Sequence, residues 1–406
     1  MSASSSEDPQ RSEEIRVTFT GADRPGITAE LAAVLADANA RLLDVEQVVV
    51  QCKLNLNFLL SLPGTQGSHN PVLKELLWKA RELGLHVDYD FAPTASVAHK
   101  TPVWALTVLA NPVDIKLLAK LSEATARAGF NIERIQRLSH RSLSSVEFLL
   151  SAREGECENR LRSGLIALRE EHSCDLALQR ETLTRRNKRL IVMDMDSTLI
   201  QQEVIDEIAD ALNVKDKVSA ITARAMNGEL DFDQSLRERV RLLAGTPQSA
   251  LSDVLARIRL TPGAEELVRV LKRLGYRTAV ISGGFIEVVE PIRARLGLDY
   301  AFANRLEVKD GLLTGEVVGT IINRQRKAEL LESIAKQERI ELDQVIAVGD
   351  GANDLDMLQR AGLGIAFNAK RTVQEQAAAA INQTSLTAIL YLLGLRDIDT
   401  LASEDA

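Results

Sequence analysis

The chain contains an approximate copy of one of its own segments. "VTFTGADRPGITAELAAVLADANARLLDVEQ" from Val17 lies over "LTVLANPVDIKLLAKLSEATARAGFNIERIQ" from Leu106, an offset of 89 positions (106 less 17). A tandem repeat constrains the first half strongly, because each copy must build the same supersecondary unit around its own apolar face. In the first copy residues 15–20 and 42–60 alternate or run apolar as strands do, and 27–40 carries apolar residues at helical spacing. With helices at 72–83 and 156–170, each copy reads βαββαβ, the ferredoxin-like α+β arrangement.

The copies diverge at one loop. The first has "GADRPG", where Gly21 and Gly26 allow a tight turn opening at a helix N-terminus, whereas the second has Ile115 at the position of Gly26. Taken alone, Asp23 to Gly26 is also readable as a capped turn. The loop resembles that of ACT domains, regulatory modules that typically bind a free amino acid there. Asp23, Arg24 and Gly26 match the "DRPG" signature and "NPVD" in the second copy does not. The resemblance implies an amino-acid site in the first copy and, since ACT modules commonly pair between chains, a homodimer.

The second half reads differently. The polar stretch "RRNKR" at 185–189 ends the repeat and marks a boundary. After it come an apolar strand ending in "DMDST", a helix-rich insert over about 200–260 and a helix at 263–274. Strand 277–282 then ends in "SGGF", followed by a hairpin on "KDG" at 309–311, helix 324–337 and strand 344–349 ending in "GDGAND". Alternating strands and helices imply a doubly wound parallel α/β sheet, whose ligands bind at the carboxyl ends of its strands. The expected layout is repeat units at 15–97 and 101–184, an α/β domain at 188–396 with a helical cap at about 200–262, and disordered polar tails at 1–14 and 397–406.

Three polar clusters sit at those strand ends: Asp194, Asp196 and Thr198; Ser282 and Gly283; Asp350, Asn353 and Asp354. Lys327 opens the helix between the second and third. Each alone is readable as a turn, a cap or a surface lysine; together they converge on one crevice. All five histidines and all three cysteines precede residue 187, so chemistry here must use carboxylates, hydroxyls and basic groups. Crowded carboxylates are unfavourable without a positive partner, and hard oxygen ligands select Mg²⁺. Beside such an ion a carboxylate can attack phosphorus, which makes Asp194 the candidate nucleophile and Asp196 the candidate general acid/base. Ser282 and the N–H groups of Gly283 and Gly284 would hold phosphate oxygens, and Lys327 would neutralise developing charge.

The order DxDxT, Ser, Lys, GDxxxD resembles the haloacid dehalogenase superfamily over roughly 188–396. That resemblance implies a metal held by Asp194, the backbone carbonyl of Asp196, and Asp350, with Thr198, Asn353 and Asp354 in support. The insert, with "QQEVIDEIA" and "MNGELDFDQSLRERVRLL", resembles the cap of the phosphoserine phosphatases. It implies that Glu203 receives a substrate ammonium, that Arg239 grips a substrate carboxylate as a planar guanidinium can, and that Met226 and Phe232 close the pocket. The implied reaction converts L-phosphoserine to L-serine and phosphate, the last step of serine synthesis, with L-serine as the regulatory ligand. The alternatives are a phosphatase of another small phosphorylated amino acid or amine, and an amino-acid-sensing regulatory protein with weak phosphatase activity.

Bulk properties exclude other classes. A net charge of −8 weighs against a nucleic-acid partner, whose phosphates select basic faces. No apolar run approaches membrane-spanning length and the N-terminus lacks a signal-peptide core, so a cytoplasmic location is expected. Cys52, Cys157 and Cys174 have neither disulfide-framework nor zinc spacing.

Overall fold

A computed structural model describes residues 13–63, 69–91, 104–139, 144–152, 158–226 and 228–397, in two compact units divided after His99. Among these residues no helix is long and apolar enough to cross a membrane. Cys157 and most of both expected tails lie outside the described residues. Glu13 and Glu14, placed in the N-terminal tail by the sequence reading, instead open the first strand, because Leu62 and Ser61 pair with them.

The first unit runs β1 (Glu13–Ala22), α1 (Ile27–Asp37), β2 (Arg41–Val50), β3 (Lys53–Leu62), α2 (Pro71–Glu82) and β4 (His86–Phe91). The sheet order is β2-β3-β1-β4, all antiparallel, as a ferredoxin-like unit requires. Alternation along β1 and β3 sends Ile15, Val17, Phe19, Leu54, Leu56, Phe58 and Leu60 to one face, where Leu31, Leu73 and Leu76 of the helices cover them. The edge strand β2 is exposed along its whole length although it carries Leu42, Val45, Val48 and Val50.

The second unit begins with the other copy: β5 (Trp104–Leu109), α3 (Ile115–Arg127), β6 (Phe130–Arg137), β7 (Ser145–Ala152), α4 (Glu158–His172) and β8 (Asp175–Arg180), in the order β6-β7-β5-β8. A single turn, α5 (Leu183–Arg186), leads into β9 (Leu190–Met193). The insert folds as α6 (Val204–Ala211), α7 (Lys215–Met226), α8 (Phe232–Arg241) and α9 (Ala250–Arg257). The chain continues through α10 (Ala264–Arg273), β10 (Arg277–Phe285), α11 (Ile286–Leu296), β11 (Tyr300–Lys309), β12 (Leu312–Val318) and α12 (Arg324–Glu338). It ends with β13 (Val345–Gly349), α13 (Leu355–Arg360), β14 (Leu363–Phe367), α14 (Arg371–Gln374), β15 (Ala379–Ile381) and α15 (Ala388–Leu392).

The seven strands are ordered β12-β11-β10-β9-β13-β14-β15 and are parallel except for the β11–β12 hairpin. β9, β13 and β14 are buried on both faces, which is why they read as continuous apolar runs rather than alternating ones. The cap is rooted where Ile200 and Leu260 form an antiparallel bridge, with Gln201 N–H donating to Arg259 O and Thr261 N–H to Leu199 O. β10 runs three residues past the expected end: the ladder with β11 breaks after Ile281 and resumes at Phe285.

The "RRNKR" stretch is less of a linker than its polarity implied. Arg185 is buried against Glu147 of β7, a partner 38 positions away, and buried Lys188 donates to the carbonyl of Asp343. β8 lies against β15, and the buried Asp175 carboxylate accepts from Asn382 N (2.8 Å), Asn382 Nδ2 (2.8 Å) and Gln383 Nε2 (2.9 Å). Leu109 and Ala177 of this copy join the apolar core of the α/β sheet. Asp175→Ala is therefore expected to cost about 2–3 kcal/mol, since it strands donors that faced a charged acceptor. Urea unfolding of the intact chain checks this; an unchanged midpoint would mean the contact contributes nothing.

Candidate active site

The central strand β9 sets the site. Met193 is in register with Val280 of β10 on one side and Val348 of β13 on the other, so Asp194, Ser282 and Asp350 emerge together at the carboxyl ends of three adjacent strands. The strand order reverses between β9 and β13, where a doubly wound sheet opens a crevice.

Past Met193 the backbone makes one wide turn over Met195–Leu199, closed by Ile200 N–H donating to Met195 O, with Ser197 in the left-handed region (φ 52°). A non-glycine residue held at positive φ is a strained feature of the kind found where a site dictates backbone shape. The turn lets Asp194 accept from its neighbour's Met195 N–H (2.7 Å) while Asp196 Oδ1 accepts from Val204 N–H (2.9 Å) at the start of α6. Ser197 Oγ donates to Glu203 Oε1 (2.7 Å), and buried Thr198 donates to Asp350 Oδ1 (3.0 Å).

Lys327, in the first turn of α12, is fully buried. Its ammonium lies 2.8 Å from Asp194 Oδ1 and 2.7 Å from Asp354 Oδ1. Burial alone would lower its pKa, but the two carboxylates outweigh that and hold it above the ordinary value. Asp194 is pushed well above the usual carboxylate range by burial and by the charge of Asp354, with Lys327 opposing. Asp350 is raised to about 7, chiefly by burial and then by Asp354 and Glu203. Asp196 is also raised to about 7, by burial and then by Glu203. A carboxyl poised near neutrality suits proton transfer in both directions.

Asp194, Asp350 and Asp354 each offer an oxygen within 4.8 Å of the others. One ammonium cannot balance three carboxylates if all are ionised, and this all-oxygen donor set fits a divalent hard cation that would favour their charged forms.

On the cap side, Phe232 packs so close to Gly283 that a Cβ there would sit 3.0 Å from its Cζ, so only glycine fits without displacing the ring. Arg239 is half-buried and donates from Nε to Ser235 O (3.3 Å); burial lowers its pKa against the opposing charges of Asp206, Glu203 and Asp196. The two cap groups that the sequence reading paired, Glu203 and Arg239, thus share one field with the strand ends. Asn353 lies in the short turn at 352–354, and Asp354 Oδ2 accepts from Gly351 N–H (3.0 Å). The side chain of Met226 lies outside what is described. Asp23, Arg24 and Gly26 form an exposed loop in the first unit. There Gly26 (φ 96°) begins α1 without a side-chain cap, whereas Asp114 caps α3 by accepting from Leu117 N–H (2.8 Å).

The sequence reading passed over Asp206, one helical turn beyond Glu203 and legible from that spacing. It also missed Asn304 and the Asn323–Asp233 contact between α12 and the cap (3.2 Å), for which sequence carries no local signal.

A family model described as haloacid dehalogenase-like hydrolase matches residues 191–359, and two ACT-domain models match 13–90 and 103–179. The phosphoserine phosphatase of Streptomyces coelicolor is 43% identical over 395 residues, 96% of this chain and 95% of that protein. That of Mycobacterium tuberculosis is 39% identical over 381 residues, covering 94% and 93%. Among solved structures, a haloacid dehalogenase-family hydrolase from Salmonella enterica aligns with a TM-score of 0.64 at 33% identity, over 71% of this chain and 98% of that one. A probable phosphoserine phosphatase from Vibrio cholerae aligns at 0.58 and 34% identity, over 77% and 92%. With its catalytic-type crevice and both ACT domains accounted for, the chain belongs to the haloacid dehalogenase-like hydrolases, in the family of phosphoserine phosphatases that carry two ACT domains.

Proposed function

We propose that the protein hydrolyses L-phosphoserine to L-serine and inorganic phosphate through a phosphoryl group carried on Asp194, as the step that completes serine synthesis. The observation that carries the reading is the pairing of a cationic and an anionic cap group, Arg239 and Glu203, beside the buried Asp194, Asp354 and Lys327 and the half-buried Asp350. A phosphate flanked by one carboxylate and one ammonium fits that arrangement.

In this reading Asp194 attacks phosphorus while Asp196 gives its proton to the departing serine oxygen, then takes one from the water that releases the phosphate. Ser282 and the backbone N–H of Gly283 hold phosphate oxygens, and Lys327 answers the charge that builds on them. Asp194, Asp350 and the backbone carbonyl of Asp196 would hold Mg²⁺, with Thr198, Asn353 and Asp354 supporting; the ion supplies charge neutralisation between the two anions. Glu203 receives the ammonium, Arg239 the carboxylate, and Phe232 with Met226 closes the pocket over the ester.

The first ACT loop is the site proposed for L-serine: Asp23 and Arg24 flank a helix start that no side chain caps, the corresponding start in the second copy being occupied by Asp114. Serine binding there would act by differential affinity for two states. The exposed apolar edge strand β2 supports pairing of two chains through these modules.

Phosphate release from L-phosphoserine is expected with Mg²⁺ and not with EDTA. Arg239→Ala is expected to lower kcat/KM about 10- to 100-fold for L-phosphoserine but far less for phosphoethanolamine, which has no carboxylate. An equal fall on both esters would remove Arg239 from the carboxylate site.

A further inference from the structure

β10 carries two more residues than β11 between their paired positions: Ile281 faces Phe302, and Phe285 faces Asn304. The surplus falls within the phosphate-holding turn Ser282–Gly284, three residues opposite Ala303 alone, which bulges out of the sheet and takes its backbone groups away from the ladder. Buried carbonyls and N–H groups left this way need a partner. Asn304 supplies it. The residue is buried, its Nδ2 donates to Gly283 O (2.8 Å), and its Oδ1 accepts from Ile322 N–H (2.8 Å). The amide orientation follows from those partners, because a carbonyl accepts only and an N–H donates only.

Both ends of this bridge lead to reacting groups. Gly283 O belongs to the same peptide unit as Gly284 N–H, which donates to Ser282 Oγ (2.8 Å), and Ser282 Oγ donates to Asp196 Oδ2 (3.3 Å). Ile322 directly precedes Asn323, whose side chain caps α12 by accepting from Arg326 N–H (3.1 Å) and whose carbonyl accepts from Lys327 N–H (2.9 Å). Asn323 Nδ2 also donates to Asp233 of the cap helix α8 (3.2 Å). One side chain therefore ties the peptide that orients Ser282 to the segment that starts the Lys327 helix and touches the cap.

We propose that Asn304 is a positioning residue that sets the phosphate-holding turn and the Lys327 helix at a fixed separation, so that Ser282 and Lys327 meet the same phosphate. The assignment rests on the phosphatase reading above. The two bonds need a donor and an acceptor on one short side chain: an ionised aspartate cannot donate to Gly283 O, leucine makes neither bond, and serine is too short to span both.

The test compares the unmodified full-length chain, Asn304→Ala, Asn304→Asp and Thr278→Val with Mg²⁺. Thr278, equally buried and hydrogen-bonded to Asp299, sits at the opposite end of β10 and controls for simple loss of a buried polar contact. Thermal midpoints, kcat and KM for L-phosphoserine, and binding of inorganic phosphate by calorimetry are measured together. Both Asn304 variants are expected to lose roughly 10²-fold in kcat, the scale of a misplaced reacting group, and to bind inorganic phosphate at least about 10-fold more weakly. Thr278→Val should lower the midpoint and leave kcat and phosphate binding in place. Asn304→Asp keeps the side-chain volume and the Ile322 bond, so it decides the matter if Asn304→Ala does not fold. Midpoints that fall with kcat and phosphate binding unchanged would overturn the proposal. If the unmodified chain released no phosphate from L-phosphoserine, the substrate reading would fail, and the phosphate-binding comparison would still decide the role of Asn304.

Discussion

Asp194→Asn is expected to abolish turnover of L-phosphoserine, by on the order of 10⁴- to 10⁶-fold in kcat, while leaving the fold intact. The amide keeps the shape of the side chain and can still accept from Met195 N–H, but it has no charged oxygen with which to attack phosphorus. The stability expectation separates this from a folding defect. Burial already works against ionising Asp194, so neutralising it removes a desolvation cost and weakens only one of the two contacts to Lys327. The metal-free variant should therefore unfold at the same urea concentration as the unmodified protein or a higher one. A variant that lost activity together with several kcal/mol of stability would show that Asp194 serves the fold instead.

Lys327→Met should fail on both counts. A fully buried ammonium between Asp194 and Asp354 cannot be removed without leaving two buried carboxylates facing each other, and breaking a buried pair of this kind costs about 3–5 kcal/mol. On the proposed role of Lys327 in answering charge on the phosphate, its loss should take a further 10²- to 10³-fold, roughly, from kcat. Adding Asp354→Asn to Lys327→Met should restore part of the stability and none of the activity, because the electrostatic conflict is removed while the charge on phosphate is still unanswered. Urea midpoints and steady-state kinetics of the two single variants and the double variant check this. Equal midpoints throughout would mean that the ion pair does not stabilise the core.

The parts of the site legible in the sequence are those where a strict local rule is broken abruptly. An apolar strand that ends in "DMDST" or "VGDGAND" announces itself, because nothing in a core strand calls for clustered carboxylates. The doubly wound topology then brings such strand ends together, and the register of β9 with β10 and β13 does so within two residues. The repeat was legible in the same way, as was the loss of the glycine-based loop in its second copy, where Asp114 fills the helix start.

What was not legible depends on partners distant in sequence. Arg185 and Lys188 read as a polar boundary since the partners that bury them in the fold, Glu147 and the carbonyl of Asp343, are 38 and 155 positions away, and only Glu181 beside Arg185 is local. The same distance in sequence hides the docking of the second ACT copy through Asp175, whose acceptor role is visible only beside Asn382 and Gln383. Asn304 is an ordinary residue in an ordinary strand until β10 is seen to bulge opposite it. Local sequence gives period and punctuation; these contacts are products of the tertiary fold.

The most direct test of the account is a rapid acid quench of the intact enzyme with L-phosphoserine and Mg²⁺, followed by peptide mass analysis. A phosphoryl group recovered on the peptide that contains Asp194, removed by hydroxylamine and absent from Asp194→Asn, is the expected result. Continued phosphate release by Asp194→Asn, with no phosphorylated peptide in the unmodified enzyme at any quench time, would contradict the account at its centre.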